Sequence, residues 1–126
     1  MEREQCMVCE SDVVNFIKEH IPVYRKYSDE DILNIICDHV RYVTYDELRK
    51  DGKLVAIVRY NVDGIIAEIL DLVIAPGYNS LYIMRRFILN GWTRFPYIKY
   101  VSYHRMYKRQ HRRLDILSIK KLLKVK

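Results

Sequence analysis

IIAEILDLVIAPGYNSLYIMRRFIL, residues 65–89, decides how this chain folds. Its first half, Ile65–Ala75, is rich in Ile, Leu and Val and is interrupted only by Glu68 and Asp71, the composition of a strand. Read alternately, Ile66, Leu70, Leu72 and Ile74 fall on one side, and Ile65, Ala67, Ile69 and Val73 on the other. A strand apolar on both faces belongs at the centre of a sheet covered on both sides. Strict alternation sends Glu68 and Asp71 to opposite faces. Pro76-Gly77-Tyr78-Asn79-Ser80 is a turn, and Asn79 or Ser80 can cap the helix that follows. That helix is expected to turn Leu81, Met84, Ile88 and Trp92 inward and to end at Phe95-Pro96.

Working outward, Lys53–Tyr60 reads as a second strand, joined to the first through the hairpin chemistry of Asn61-Val62-Asp63-Gly64. Tyr42–Leu48 supplies a preceding strand. Two amphipathic helices come before these. Ser11-Asp12 opens one with Val13, Val14, Ile17 and Ile21 on a face, and Pro22 interrupts it. Ser28 opens the next with Asp31 in the capping-box position, followed by the stripe Ile32, Leu33, Ile36 and Val40. After the third helix, Ile98–Arg105 is a strand and Arg113–Ile119 a last one. The order α-α-β-β-β-α-β-(β) is that of an α+β domain with a twisted mixed sheet, and the strand–turn–helix–strand unit implies a parallel crossover. One domain over residues 1–126 is expected, with Val55, Ile57, Ile69, Leu70, Leu72 and Val73 in its core.

Half the residues are hydrophobic and 30% are charged, an ordinary globular balance. No apolar run reaches the roughly 18 residues of a membrane span, and Met1–Gln5 lacks the apolar stretch of a secretory signal. A cytoplasmic location is the expectation. The charge is uneven. Residues 101–126 hold nine Lys and Arg against Asp115, a net of +8, which leaves the first hundred residues at −2 of the chain's +6. A basic end on an acidic body suits a polyanionic partner, nucleic acid or an acidic protein. Tyr97–Arg113 interleaves tyrosines with cations, as single-strand-binding surfaces do. The same run also suits a plain solvated face. Three cysteines, Cys6, Cys9 and Cys37, suggest reduced thiols rather than a disulfide framework. Cys6-x-x-Cys9 with Cys37-x-His39 has zinc-like spacing, but Cys37 lies within a helical pattern, and no metal is expected.

The order of elements, and Ile66–Leu89 in particular, resembles the GNAT superfamily of acetyl-CoA-dependent N-acetyltransferases. Leu70–Pro76 (LDLVIAP) followed by Gly77-Tyr78 looks like the strand end that leads into that family's pyrophosphate loop. The resemblance implies a GNAT-like fold, acetyl-CoA as co-substrate and an amine acceptor. The thioester arm would lie along Leu72, Val73 and Ile74, with the pyrophosphate over Asn79, Ser80, Leu81 and Tyr82. The family loop, Arg/Gln-x-x-Gly-x-Gly/Ala, lets backbone N–H groups close on the phosphates. Aligned from Pro76, its Arg/Gln position is Asn79 and its small-residue positions are Tyr82 and Met84, so the loop is degenerate.

Acetyl transfer to an amine needs a base for the ammonium proton and an acid for the leaving thiolate. Ala67-Glu68-Ile69 is similar to segments that place a glutamate base. Aliphatic neighbours would raise the Glu68 pKa by desolvation, although pairing with a nearby cation is its alternative role. Tyr107 falls near where some members carry a tyrosine acid, with His104 a second choice. Two functions follow: a small divergent N-acetyltransferase, or a non-catalytic module of the same fold that binds through residues 101–126.

Overall fold

The computed structural model describes residues 10–105 and 110–115, and side chains from Asp12 to Ser102. Helix α1, Glu10–His20, buries Val13, Val14, Phe16 and Ile17. Pro22 then opens a short 3-10 turn, Pro22–Lys26, that carries Tyr24 into the interior. Arg25 folds back to donate to the Lys18 and Glu19 carbonyls, satisfying the end of α1. Helix α2, Asp29–Arg41, starts at Ser28, whose hydroxyl accepts from the Asp31 N–H at 3.1 Å. Three acids in its first turn suit the helix dipole.

Strands β1 (Tyr45–Lys50), β2 (Lys53–Asp63) and β3 (Ile66–Ile74) form an antiparallel meander. The β1–β2 hairpin closes on Asp51-Gly52, both at positive φ (54° and 80°), the two-residue geometry whose twist matches the strands. The next turn falls at Gly64-Ile65, with Gly64 at φ 61°, so β2 runs three residues past the expected Tyr60. Helix α3, Ser80–Arg94, crosses over to β4 (Tyr100–Arg105), which pairs parallel with β3 and antiparallel with β5 (Gln110–Asp115). The sheet order is β1-β2-β3-β4-β5, an α+β GNAT-like arrangement. The last strand lies three residues N-terminal to the expected Arg113.

Helices α1 and α2 cover one face around Val13, Ile17, Ile32, Ile36 and Ile57. Helix α3 covers the other, over Val55, Ala56, Val58 and Tyr60. The strand buried on both faces is therefore β2, whose residues Leu54–Val58 are all buried. The reading assigns that place to β3, yet Ile69, Leu70 and Val73 are half-buried and Leu72 is 38% exposed. The inward face of α3 is also corrected: Ile83 and Phe87 are buried, Met84, Ile88 and Trp92 are half-buried, and Leu81 is exposed. Gly91, two helical turns beyond Ile83 on that face, passes close to Tyr60.

Two bulges break the alternation. In β2, Leu48 pairs Ala56 while Arg49 pairs Leu54, leaving Val55 extra. In β3, Arg59 pairs Asp71 while Tyr60 pairs Ile69, leaving Leu70 extra. Glu68 opposes Asn61, on the same face as Arg59, so the bulge puts Glu68 and Asp71 on one face rather than on opposite ones. Cys37 is buried and takes part in a disulfide, not the free thiol that three cysteines suggest. Cys6 and Cys9 lie outside the described residues.

Candidate functional site

Strand β3 meets β4 only at Ile66–Tyr100, Ala67–Val101 and Glu68–Ser102. From Ile69 onward β3 stays paired with β2, while β4 continues beside β5. The Leu70 bulge sits where the two parallel strands part, and a bulge is a common way to bend a strand off its neighbour. Among the described residues no strand pairs the β4-side edge of Ile69–Ile74. That edge presents alternating N–H donors and C=O acceptors to the gap, a template for an extended polar ligand. Leu72, Val73 and Ile74, the residues assigned to the thioester arm, all lie on it.

At its end β3 enters the turn Pro76–Asn79, where Gly77 takes φ 93°. Asn79 caps α3, its side-chain oxygen accepting from the Tyr82 N–H at 3.0 Å. Ser80, Leu81 and Tyr82 are exposed there. The Tyr82 hydroxyl accepts from Arg86 at 3.2 Å, and the guanidinium lies 5.9 Å from its ring centre. That hydrogen bond, aided by the charges of Arg86, Lys50 and Arg85, holds the phenol below its usual pKa. The start of α3 is thus both a helix N-terminus and a cationic neighbourhood, two features that favour phosphate.

On the α1–α2 face a hydrogen-bonded chain runs inward from β3. Asp71 Oδ2 accepts from the Tyr24 hydroxyl at 2.8 Å and from Arg59 Nε at 2.7 Å. Arg59 Nη2 donates to Tyr24 at 2.8 Å. Arg59 Nη1 donates to His39 Nε2 at 3.2 Å, which puts the ring proton on Nδ1, donating to Thr44 Oγ1 at 2.8 Å. Burial lowers the His39 pKa and the Arg59 charge lowers it further. Burial, then the hydrogen bond to Asp71, pushes the Tyr24 phenol up to about 12. Sequence reasoning missed this chain because its members come from four separate elements. The available signal was a charged residue in each of two apolar strands, Arg59 and Asp71, which an antiparallel register can set opposite each other.

Glu68 lies at the apex of the gap, at the last residue paired to β4. It is exposed, so the aliphatic burial that the reading relied on is absent. The Tyr107 assignment and the basic segment beyond Ser102 fall outside the described side chains, as does His104. The zinc spacing is not realised by Cys37 and His39: the one is in a disulfide, and both ring nitrogens of the other are engaged. Among the described residues no group of His, Cys, Asp and Glu could hold a metal ion. No helix among them is long and apolar enough to cross a membrane.

No protein-family model matches the chain, and no curated protein does. Solved structures do. An aminoglycoside 6'-acetyltransferase type Ii superposes with a TM-score of 0.58 at 10% identity, covering 82% of this chain and 67% of its own. The spermidine N-acetyltransferase SpeG chimera from Vibrio cholerae and hSSAT gives 0.54 at 16%, covering 77% and 68%. The PaiA N-acetyltransferase from Thermoplasma acidophilum, in complex with coenzyme A, gives 0.52 at 19%, covering 79% and 61%. The chain has the GNAT fold. It spans about two thirds of the length of these proteins.

Proposed function

We propose that the chain is a divergent N-acetyltransferase that moves an acetyl group from acetyl-CoA to an amine. The observation that carries this is the backbone edge of Ile69–Ile74, unpaired on its β4 side among the described residues, which runs past the Leu70 bulge to end beside the cationic start of α3. Such an edge binds an amide-bearing arm through main-chain groups and makes little demand on side-chain identity. One structural neighbour of this fold was solved with coenzyme A. Arg86, which donates to the Tyr82 hydroxyl one turn along the helix, puts a cation beside the loop.

In this reading the amine nitrogen attacks the thioester carbonyl carbon. The N–C bond forms, the C–S bond breaks, and backbone donors of β3 stabilise the oxyanion. Glu68 takes the proton lost by nitrogen, and the departing thiolate takes one from an acid, a role assigned to Tyr107. Asp71 does not compete as base, because its Oδ2 is committed to Arg59 and Tyr24. It fixes the backbone of the splayed segment instead.

Thermal unfolding with and without acetyl-CoA tests the reading. At 100 times its dissociation constant the ligand adds about 2.7 kcal/mol. In a transfer assay Glu68→Gln should lower the rate at least about 10²-fold at neutral pH. No stabilisation at millimolar acetyl-CoA would leave the second reading, a module that binds through residues 101–126, whose support is the charge of that segment.

A further inference from the structure

A cleft of about 640 Å³ opens where the end of α2, the residues before β1 and the end of β2 meet the segment after α3. That is a volume suited to a small organic molecule. It lies at the end of the sheet opposite the Pro76–Asn79 turn, because β2 runs antiparallel to β3 and its last residues face the start of β3. Among the described residues the carbon rings of Tyr42, Phe95 and Tyr97 line it, with the His39 imidazole beside them. Phe95 stands edge-on to Tyr97 and to Tyr60, each at 6.3 Å, which fixes the ring wall from behind. Tyr42 and Tyr97 are 65% and 55% exposed, and the Arg41 guanidinium stands 5.9 Å from the centre of the Tyr42 ring. Asp38, His39, Arg41, Thr44 and Asn61 supply the polar part of the lining, with His39 and Thr44 hydrogen-bonded to each other.

Beside Tyr42 the backbone is strained. Val43, a β-branched residue, takes φ 55°, where such side chains are rare. Its carbonyl is held by the Tyr60 hydroxyl at 3.3 Å and by Arg94 at 3.4 Å. Strain of this kind persists where the surroundings over-determine it, and it gathers at ligand sites.

The cleft also reaches the chemistry. Asn61 lines it and is the cross-strand partner of Glu68, so the two side chains leave the sheet on the same face. Glu68 is the residue at which β3 and β4 part. We infer that this cleft is the acceptor site, and that the acceptor is a primary amine carrying an aromatic ring. The inference rests on the transferase reading above. The ring sits among Tyr42, Phe95 and Tyr97, Asn61 offers its amide, and the ammonium group reaches Glu68. A polyamine fits worse. Asp38 is the one carboxylate among the described lining residues, and it lies 3.8 Å from Arg41. Several ammonium groups would find no set of acids to meet them.

The test uses the full chain with 2-phenylethylamine and spermidine as probes. Transfer is followed by thiol release, and amine binding is followed separately by calorimetry without acetyl-CoA. The aromatic amine should show a kcat/KM at least 10-fold above that of spermidine. Tyr42→Ser and Tyr97→Ser, both exposed positions, should each raise its KM at least 5-fold with kcat within about twofold, and weaken calorimetric binding to match. Unchanged melting temperatures of both variants establish that they fold. Transfer that favours spermidine, or that ignores both tyrosines, overturns the inference and leaves the transferase reading standing. Binding that needs both tyrosines without transfer to any amine keeps the ring site and removes the transferase reading. Neither binding nor transfer removes both.

Discussion

Asp71→Asn should destabilise the chain by about 3 kcal/mol, a large loss for a single side-chain oxygen. Its Oδ2 meets Arg59 Nε and Nη2, each at 2.7 Å, and the Tyr24 hydroxyl at 2.8 Å. The Arg59 and Asp71 side chains are only 14% and 13% exposed. The screening that holds surface pairs to about 1 kcal/mol or less is therefore largely removed. Taking one partner from a buried pair leaves the other charge uncompensated, at about 3–5 kcal/mol, and the remaining solvent contact argues for the lower end. Tyr24→Phe, which deletes one neutral donor, should cost only about 1 kcal/mol. If the groups act as a unit, Arg59→Met with Asp71→Leu should lose less than the two single changes added together, by about 1–3 kcal/mol. Urea unfolding followed by circular dichroism reads all five variants, with a constant m-value as the control. An Asp71→Asn loss below about 1 kcal/mol at unchanged m would refute the reasoning, because the pair would then behave as a surface contact.

His39 sets a pH dependence. Its folded pKa is depressed, so the unfolded chain binds the proton more readily; stability is full above about pH 6.5 and falls as pH drops through the lowered folded value, and His39→Gln should remove that slope in acid titrations of stability. Gly91→Ala should stabilise by up to about 1 kcal/mol, since the new methyl meets the Tyr60 hydroxyl at an ordinary 3.5 Å and helix propensity improves, while Gly52→Ala at φ 80° should destabilise in the same thermal assay. Ile57→Ala should cost about 2–5 kcal/mol and Leu70→Ala, at the half-buried bulge, clearly less; the reverse order would return β3 to the centre of the core. Should residues 101–126 hold nucleic acid, affinity must fall steeply with salt, and replacing Arg109, Arg112 and Arg113 by Gln should flatten the slope.

What the sequence made legible is what local rules govern. Ser28 announces α2 because a cap, its partner N–H and the stripe that follows all lie within one turn of each other. The turn at Pro76 and the cap at Asn79 are readable for the same reason. Strand β3 is the middle strand of the sheet, as expected, but burial on both faces falls to β2, and the two have the same kind of composition. Which one is covered on both faces depends on where β4 departs, a matter of distant pairing that composition does not encode. The two bulges each insert one residue into an otherwise regular alternation. Counting in twos then sends everything beyond Leu70 to the wrong face, and this is how Glu68 and Asp71 came to be separated. The chain from Tyr24 to His39 was invisible because Tyr24 and Asp71 lie 47 residues apart, and Arg59 and His39 lie 20 apart.

The two halves of the proposed cofactor site depend on sequence in different ways. The edge of Ile69–Ile74 offers main-chain groups, which every residue there supplies, so it tolerates wide drift in side chains. A glycine loop is the opposite case, since its use depends on having no side chain, and Tyr82 and Met84 stand in those positions here. On the transferase reading, affinity for phosphate must then come chiefly from Lys50, Arg85 and Arg86 around the start of α3. This separates the ligand into parts that can be measured apart. Arg86→Gln should weaken coenzyme A binding at least about 5-fold and reduce its salt dependence, since charge-assisted contacts to phosphate are strong and screened. The same change should leave pantetheine, which lacks the phosphates, unaffected. Tyr82→Gly with Met84→Gly should tighten coenzyme A, provided the helix tolerates about 1 kcal/mol per glycine. Equal losses for coenzyme A and pantetheine in Arg86→Gln would mean that the substitution disturbs the edge itself. No loss for either would put the phosphates elsewhere.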